Sequence, residues 1–282
     1  MIFSNLFFQF FNSNPMIQTG LMLLSAALAL SAMASCSQDD HVPAPAQTYV
    51  LVHGAWQAPY VWDEVRDQLV SKGHKVMLVE LPGHGSDKTA PHLLSLDVYR
   101  DKVIESITSA GGPVILVGHS MGGMVVTHVA EKVPASIRKL IYIGAFVPTS
   151  GQALVEIADP GSQLGPNLVQ SADQLTLDVK NEKLTDLFIP DGSQAAKDKV
   201  IAQYRAEPAI PFTNKVTVTS GAFGSVEKAY IKTLRDIVIS PALQDQMIAA
   251  AGIKAVYEVN AGHSPFLSQP AAVADLFLKL GM

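Results

Sequence analysis

A single cysteine, Cys36, stands in a chain of 282 residues, which excludes disulfides within the chain and any metal site built on several thiolates. Charge is sparse as well. Only 16% of residues are charged, and 20 Lys and Arg against 25 Asp and Glu leave a formal net charge of -5, with no long like-charge blocks. That excludes a basic face for nucleic acid and favours a neutral or apolar small-molecule partner. Neither H-E-x-x-H nor a Walker phosphate loop occurs, and Gly83-His84-Gly85 lacks the third glycine of a dinucleotide fingerprint. No cofactor and no metal are expected. There is no internal repeat and no long low-complexity tract. What is abundant is apolar: 48% of the chain is hydrophobic, enough to bury the core of one α/β domain carrying an elaboration. Nothing in the pattern fixes an oligomeric state.

Residues before Gln47 differ in composition from all that follow. Gly20 to Ser35 is an almost unbroken run of Leu, Ala, Met and Ser, long enough for the apolar part of a signal peptide and short of the roughly 20 residues of a membrane span. It stops at Ala34-Ser35-Cys36. Two small residues and a cysteine after such a run resemble the lipobox of bacterial lipoproteins, whose cysteine becomes a lipidated N-terminus. The resemblance implies a signal segment over 1–36 with Cys36 as the lipidation site, a polar tether over 37–46, and a true start at Met1 or Met16. It further implies export, either anchored by lipid to a bacterial envelope or else periplasmic or secreted, with no other membrane contact. No Lys or Arg precedes Arg66, and Met33 stands where leucine is usual. Simple secretion, or an N-terminal helix with a buried structural cysteine, are the competing readings.

The chain then centres on Pro113-Val-Ile-Leu-Val-Gly-His-Ser-Met-Gly-Gly123. The aliphatic run reads as a strand buried on both faces of a parallel sheet. Gly118-His-Ser120-Met-Gly122 fits G-x-S-x-G, a strained strand-to-helix corner that presents a nucleophilic serine. A side chain at Gly118 or Gly122 would collide with neighbouring backbone. From Gly122 the pattern turns helical, so Ser120 sits at a helix N-terminus, where free N–H groups favour developing negative charge.

On either side, apolar strands alternate with helices. Gln47–Val52 is a strand ending in His53-Gly54-Ala55-Trp56, followed by a helix over 60–72, a strand over 75–81 and a helix over 95–110. Beyond the central helix come strands at 138–145, 228–234 and 253–259 and helices at 241–251 and 270–280. This spacing means βαβ units and a mostly parallel, doubly wound sheet over 47–148 and 220–282. Between them, 149–219 holds short amphipathic pieces with many Pro, Gly and Asp residues and no clear strand. It is expected to form a helical cap over the carboxyl ends of the strands, with helices near 172–187 and 193–205.

A serine hydroxyl needs a base, and His263 leaves the last strand on the same sheet edge as Ser120. Asp236, at the end of the preceding strand, would hold the imidazole and stabilise its charged form, with Asp245, Asp186 and Asp191 as alternatives. The order Ser, Asp, His is that of one large hydrolase class. Backbone N–H groups of Ala55 and Met121 would form an oxyanion hole, with Gly54 allowing close approach. Trp56, Phe146 and Phe266 would line an apolar substrate pocket, ordinary core packing being the alternative for the two phenylalanines. His84 and His119 read as structural rather than catalytic.

Leu51-Val-His-Gly-Ala-Trp56, Leu81-Pro-Gly-His-Gly85, Gly118-His-Ser-Met-Gly-Gly123, Ala145-Phe-Val-Pro148 and Ala261-Gly-His263 resemble the α/β-hydrolases grouped with plant methyl esterases, hydroxynitrile lyases and bacterial esterases, over roughly 48–280. The resemblance implies the α/β-hydrolase fold. It also supports Asp236 by position, with Arg235 where the family has an acid. Cyanohydrin lyases of the group carry threonine and lysine at the positions of Gly54 and Ser264, so the resemblance implies an esterase. The expectation is a serine carboxylesterase acting on small, largely apolar esters through an acyl-enzyme. A carbon–carbon lyase or hydrolase on the same triad, and a ligand-binding receptor with a slow hydrolase site, are the alternatives.

Overall fold

The computed structural model describes residues 45–157 and 159–282. The expected signal segment, Cys36 and most of the tether lie outside the described residues. Among the described residues, six strands form one sheet in the order β2-β1-β3-β4-β8-β9, and every neighbouring pair in it is parallel. These are β1 (Thr48–Val52), β2 (Lys75–Val79), β3 (Val114–Ser120), β4 (Ile137–Ala145), β8 (Lys228–Thr233) and β9 (Ala255–Val259).

Period-2 geometry accounts for the aliphatic runs. Val50, Val52, Val114 and Leu116 enter one apolar cluster, while Tyr49, Leu51, Ile115 and Val117 enter the other. Each cluster is closed by helices. The first takes α2 (Leu96–Ala110), α3 (Gly122–Lys132) and α7 (Pro241–Ala250); the second takes α1 (Asp63–Ser71) and α9 (Pro270–Gly281). Local chemistry sets the ends. Ser95 Oγ accepts the Val98 N–H at 3.3 Å to start α2, and Ser240 Oγ accepts that of Leu243 at 3.2 Å before Pro241 opens α7.

The central strand is buried along its whole length and delivers Ser120 with φ +53°, after which α3 begins within two residues. The corner admits no Cβ at Gly122, where one would lie 2.7 Å from the His53 carbonyl oxygen.

The fold agrees with the expectation, but the cap is mixed rather than helical. It carries a three-stranded antiparallel sheet, β5 (Leu168–Gln170), β6 (Thr176–Val179) and β7 (Glu207–Pro208), together with the helices α4 (Leu184–Phe188), α5 (Gln194–Gln203) and α6 (Ile210–Thr213). The helix expected near 172–187 is therefore a strand followed by one short helix. The physical reason is a tight turn: Asp173 Oδ1 accepts the Ser171 hydroxyl at 2.6 Å and the Leu175 N–H at 3.1 Å, and Gln174 takes φ +60°. That turn folds β5 back on β6 as a hairpin. The second expected helix forms, capped by Ser193 Oγ on the Ala196 N–H at 3.2 Å.

Gly122→Ala should force a backbone shift at the corner and cost about 1–3 kcal/mol, lowering Tm by roughly 5 °C in calorimetry. An unchanged Tm would contradict the close approach.

Candidate active site

Three strand ends converge on the same sheet edge. Asp236 occupies the turn after β8, and His263 the turn after β9. Their side chains meet through His263 Nδ1 and Asp236 Oδ2 at 2.8 Å, with His263 1% and Asp236 3% exposed. The carboxylate is hydrogen-bonded on both oxygens. Oδ1 accepts the N–H groups of Val238 at 2.8 Å and Ile239 at 2.9 Å, and Oδ2 also accepts the Thr233 hydroxyl at 2.8 Å. Because a carboxylate accepts only, Nδ1 carries the proton and Nε2 is the ring's basic nitrogen.

The other acids do not reach this ring. Asp245 is exposed and paired with Lys232, and Asp186 is exposed and paired with Lys183. Asp191 instead braces the loop that carries His263 against the cap, since its Oδ2 accepts from Arg235 at 3.0 Å and from the Gly262 N–H at 3.1 Å.

Ser120, 5% exposed, lies against the first-strand loop. A Cβ on Gly54 would stand 2.7 Å from Ser120 Cβ, so only glycine lets this backbone lie beside the serine. That contact brings Ala55 to one side of Ser120, while Met121 follows it directly at the start of α3. Both expected oxyanion donors are therefore next to the serine, one of them at a helix N-terminus.

Histidines support this arrangement from behind. His119 Nε2 donates to the His263 carbonyl at 2.9 Å. Burial, then the neighbouring His263, hold the His119 pKa well below the usual value, so this ring is neutral. His53 Nδ1 donates to the Gly54 carbonyl at 2.9 Å, and its Nε2 accepts the Leu81 N–H at 3.3 Å. Burial, with His84 adding to it, pushes the His53 pKa down to about 3.

His84 differs. Its Nδ1 faces the Pro82 carbonyl at 3.1 Å and its Nε2 faces Glu207 Oε2 at 2.9 Å. Both partners are acceptors, so both nitrogens carry protons. Burial pulls the His84 pKa down, but the Glu207 carboxylate and the carbonyls outweigh it and raise it.

Trp56 stands in the wall of the site. Its ring packs on two cap aromatics, Phe188 at 5.6 Å and Phe212 at 5.9 Å between centroids, and Phe188 also lies 5.9 Å from the His263 ring. Phe146 belongs to the same apolar cluster as Trp56 and Met121. Phe266 does not. It is fully buried in the opposite cluster, 4.2 Å from Trp62 and 4.7 Å from His119 between centroids. The short helix α8 (Pro265–Ser268) carries it underneath His119, which corrects its assignment to the substrate pocket. Phe188 and Phe212 went unrecognised in the sequence, where their only signal is a phenylalanine beside proline-rich turns, Phe188-Ile-Pro190 and Pro211-Phe212.

The profile of the alpha/beta hydrolase family matches residues 49–276. Putative methylesterase 11, chloroplastic, of Arabidopsis thaliana is 28% identical over 250 residues, covering 82% of this chain. The chain spans 63% of that relative's length. Among solved structures, an extracellular alpha/beta-hydrolase from a Paenibacillus species superposes with a TM-score of 0.72 at 26% identity, covering 83% of this chain and 98% of that one. A mutant of polyneuridine aldehyde esterase superposes at 0.76 with 20% identity, covering 84% of this chain and 100% of that one, a likeness of fold.

The buried neutral histidines set an acid limit on stability. The unfolded chain takes up protons at His53 and His119 near pH 6.5, whereas the folded chain does so only at much lower pH. Their contribution is therefore complete above about pH 6.5 and lost on acidification, by about 1 kcal/mol for His53 between about pH 7 and about pH 5.5. The raised His84 acts in the opposite sense, its contribution being full below about pH 6.5 and lost as pH rises. Urea midpoints should fall over that acid interval; midpoints that hold or rise would contradict neutral burial.

Proposed function

The chain belongs to the alpha/beta hydrolase family, and from that premise we propose that it is a serine carboxylesterase hydrolysing small, largely apolar carboxylic esters through an acyl-enzyme. The observation that carries this reading is the buried 2.8 Å hydrogen bond between Asp236 and His263 Nδ1, tied to the serine's strand by the 2.9 Å bond from His119 Nε2 to the His263 carbonyl, with Ser120 itself presented at φ +53°. The name of one relative, a putative methylesterase, supports ester cleavage as the reaction.

In the proposed cycle, the Ser120 hydroxyl oxygen attacks the ester carbonyl carbon as His263 Nε2 takes its proton. Asp236 stabilises the resulting imidazolium through Nδ1–H. The carbonyl oxygen becomes an oxyanion and accepts hydrogen bonds from the N–H groups of Ala55 and Met121. Collapse breaks the bond to the alkoxy oxygen, which leaves as the alcohol with the proton from His263. Water then repeats the sequence on the acyl-serine, with His263 again taking and returning a proton, and releases the acid. His119 and His53, neutral and bonded to backbone, position the site and do not move protons. Trp56, Phe146, Phe188 and Phe212 make the surroundings apolar, which suits an uncharged ester and strengthens the oxyanion bonds.

Two positions favour this chemistry over cyanohydrin cleavage. Gly54 has no side chain to stand between substrate and serine, and the hydroxyl of Ser264 is engaged by Gln57 Nε2 at 2.8 Å. Export with lipidation at Cys36 belongs to the same proposal and rests on the apolar run of residues 20–35 and the small residues before the cysteine.

Replacing Ser120 by alanine should abolish turnover of short acyl esters at unchanged Tm; retained turnover would sink the proposal. Asp236→Asn keeps the shape but allows the wrong imidazole tautomer, and should lower kcat by about 10⁴-fold. A loss below about tenfold would remove Asp236 from the site.

A further inference from the structure

Trp56 is a bulky residue held at φ +58°, a conformation that costs about 1–3 kcal/mol and persists only where the surroundings impose it. Both of its hydrogen-bond donors are taken by the cap. The backbone N–H is accepted by Glu207 Oε2 at 2.7 Å, and the indole N–H by the Leu177 carbonyl at 2.9 Å. Leu177 and Glu207 are direct partners across the β6–β7 pair. The β6–β7 pair of the cap sheet therefore grips one residue of the core, and that residue immediately follows Ala55.

The two peptide units around Ala55 are pinned in turn. The Gly54 carbonyl is held by His53 Nδ1 at 2.9 Å. In a planar trans peptide the Ala55 N–H then points the opposite way. The next unit is held by Glu207 through the Trp56 N–H. Behind the loop these two anchors adjoin each other, since the His53 ring lies 4.9 Å from that of His84, which pairs with Glu207 at 2.9 Å. Glu207 is fully buried, and its second oxygen, Oε1, is buried without a partner. A carboxylate so placed is costly to keep, so its bonds to the loop invite a role beyond packing.

We propose that Glu207 is a positioning residue of the oxyanion hole: it fixes the Ala55–Trp56 peptide, and hence the aim of the Ala55 N–H, only while the cap sheet is docked. The inference rests on the esterase reading. Cap docking then does more than cover the site; it completes one of the two donors. Because such donors bind the developing oxyanion more strongly than the ester carbonyl, loss of Glu207 falls on kcat rather than on KM.

The test compares wild type, Ser120→Ala, Glu207→Ala and Glu207→Gln on one short acyl ester, with Tm recorded for each. Glu207→Ala should lower kcat about 10- to 100-fold with KM changed by less than about threefold. Glu207→Gln, which keeps an oxygen for the Trp56 N–H, should recover kcat to within about fivefold of wild type. Affinity for a trifluoromethyl ketone, to which the serine adds to form a bound oxyanion, should fall in parallel with kcat. A merely structural ion pair would instead lower Tm alike in both variants and leave kcat of the folded enzyme and ketone affinity unchanged, which overturns the proposal. Should Glu207→Ala not fold, Glu207→Asp, one methylene short of the Trp56 N–H, carries the same expectation. If wild type is no faster than Ser120→Ala, the esterase reading fails and the inference with it; an active wild type with Glu207→Ala at full kcat overturns the inference alone.

Discussion

A carboxylate removed from water must have its lone pairs occupied, and Asp236 meets that demand with two backbone N–H groups, one hydroxyl and one imidazole. The backbone donors come from the turn that follows it, so the loop after β8 folds around the carboxylate and fixes its direction. The imidazole comes from the next strand. Orientation and tautomer of His263 thus depend on Asp236. The rest of the site is arranged on this bond: His119 holds the backbone of His263 from the serine's own strand, and Asp191 holds the residue before it from the cap.

Parallel strands make such convergence available. Every strand of the main sheet ends on the same edge, so residues far apart in the chain meet there. Side chains that bury the sheet on both faces also make it rigid, and the strain at Ser120 and Trp56 is tolerated because packed neighbours leave no alternative. Strain and rigidity therefore have one origin. The cap contributes in two ways, with aromatic rings against Trp56 and His263, and with hydrogen bonds to the loop beside the serine.

The sheet was legible because strands buried on both faces leave uninterrupted aliphatic runs, as in Val114–Val117. The G-x-S-x-G corner and the strand-end positions of Asp236 and His263 were legible for a related reason, since each follows directly from where a strand stops. The cap was not. Its strands are three, four and two residues long, and the alternation of Leu175, Leu177 and Val179 covers only five residues before Leu184 and Leu187 introduce a helical spacing, so the two signals run into one another. Phe266 was misplaced because nearness in sequence to His263 says nothing of direction, which the proline-initiated α8 sets. Glu207 was invisible for a different reason: a lone acid in a short proline-containing segment shows no sign of burial until its partners Trp56 and His84, more than 120 residues away, are seen around it.

All of this requires that Ser120 be a nucleophile activated by His263. Mass spectrometry after treatment with a serine-directed phosphonate reads that property without assuming a substrate. The account predicts a single adduct, on the peptide that contains Ser120, which disappears in a folded His263→Ala variant. Absence of an adduct on the wild-type protein, or labelling of Ser120 that is indifferent to His263, would contradict it.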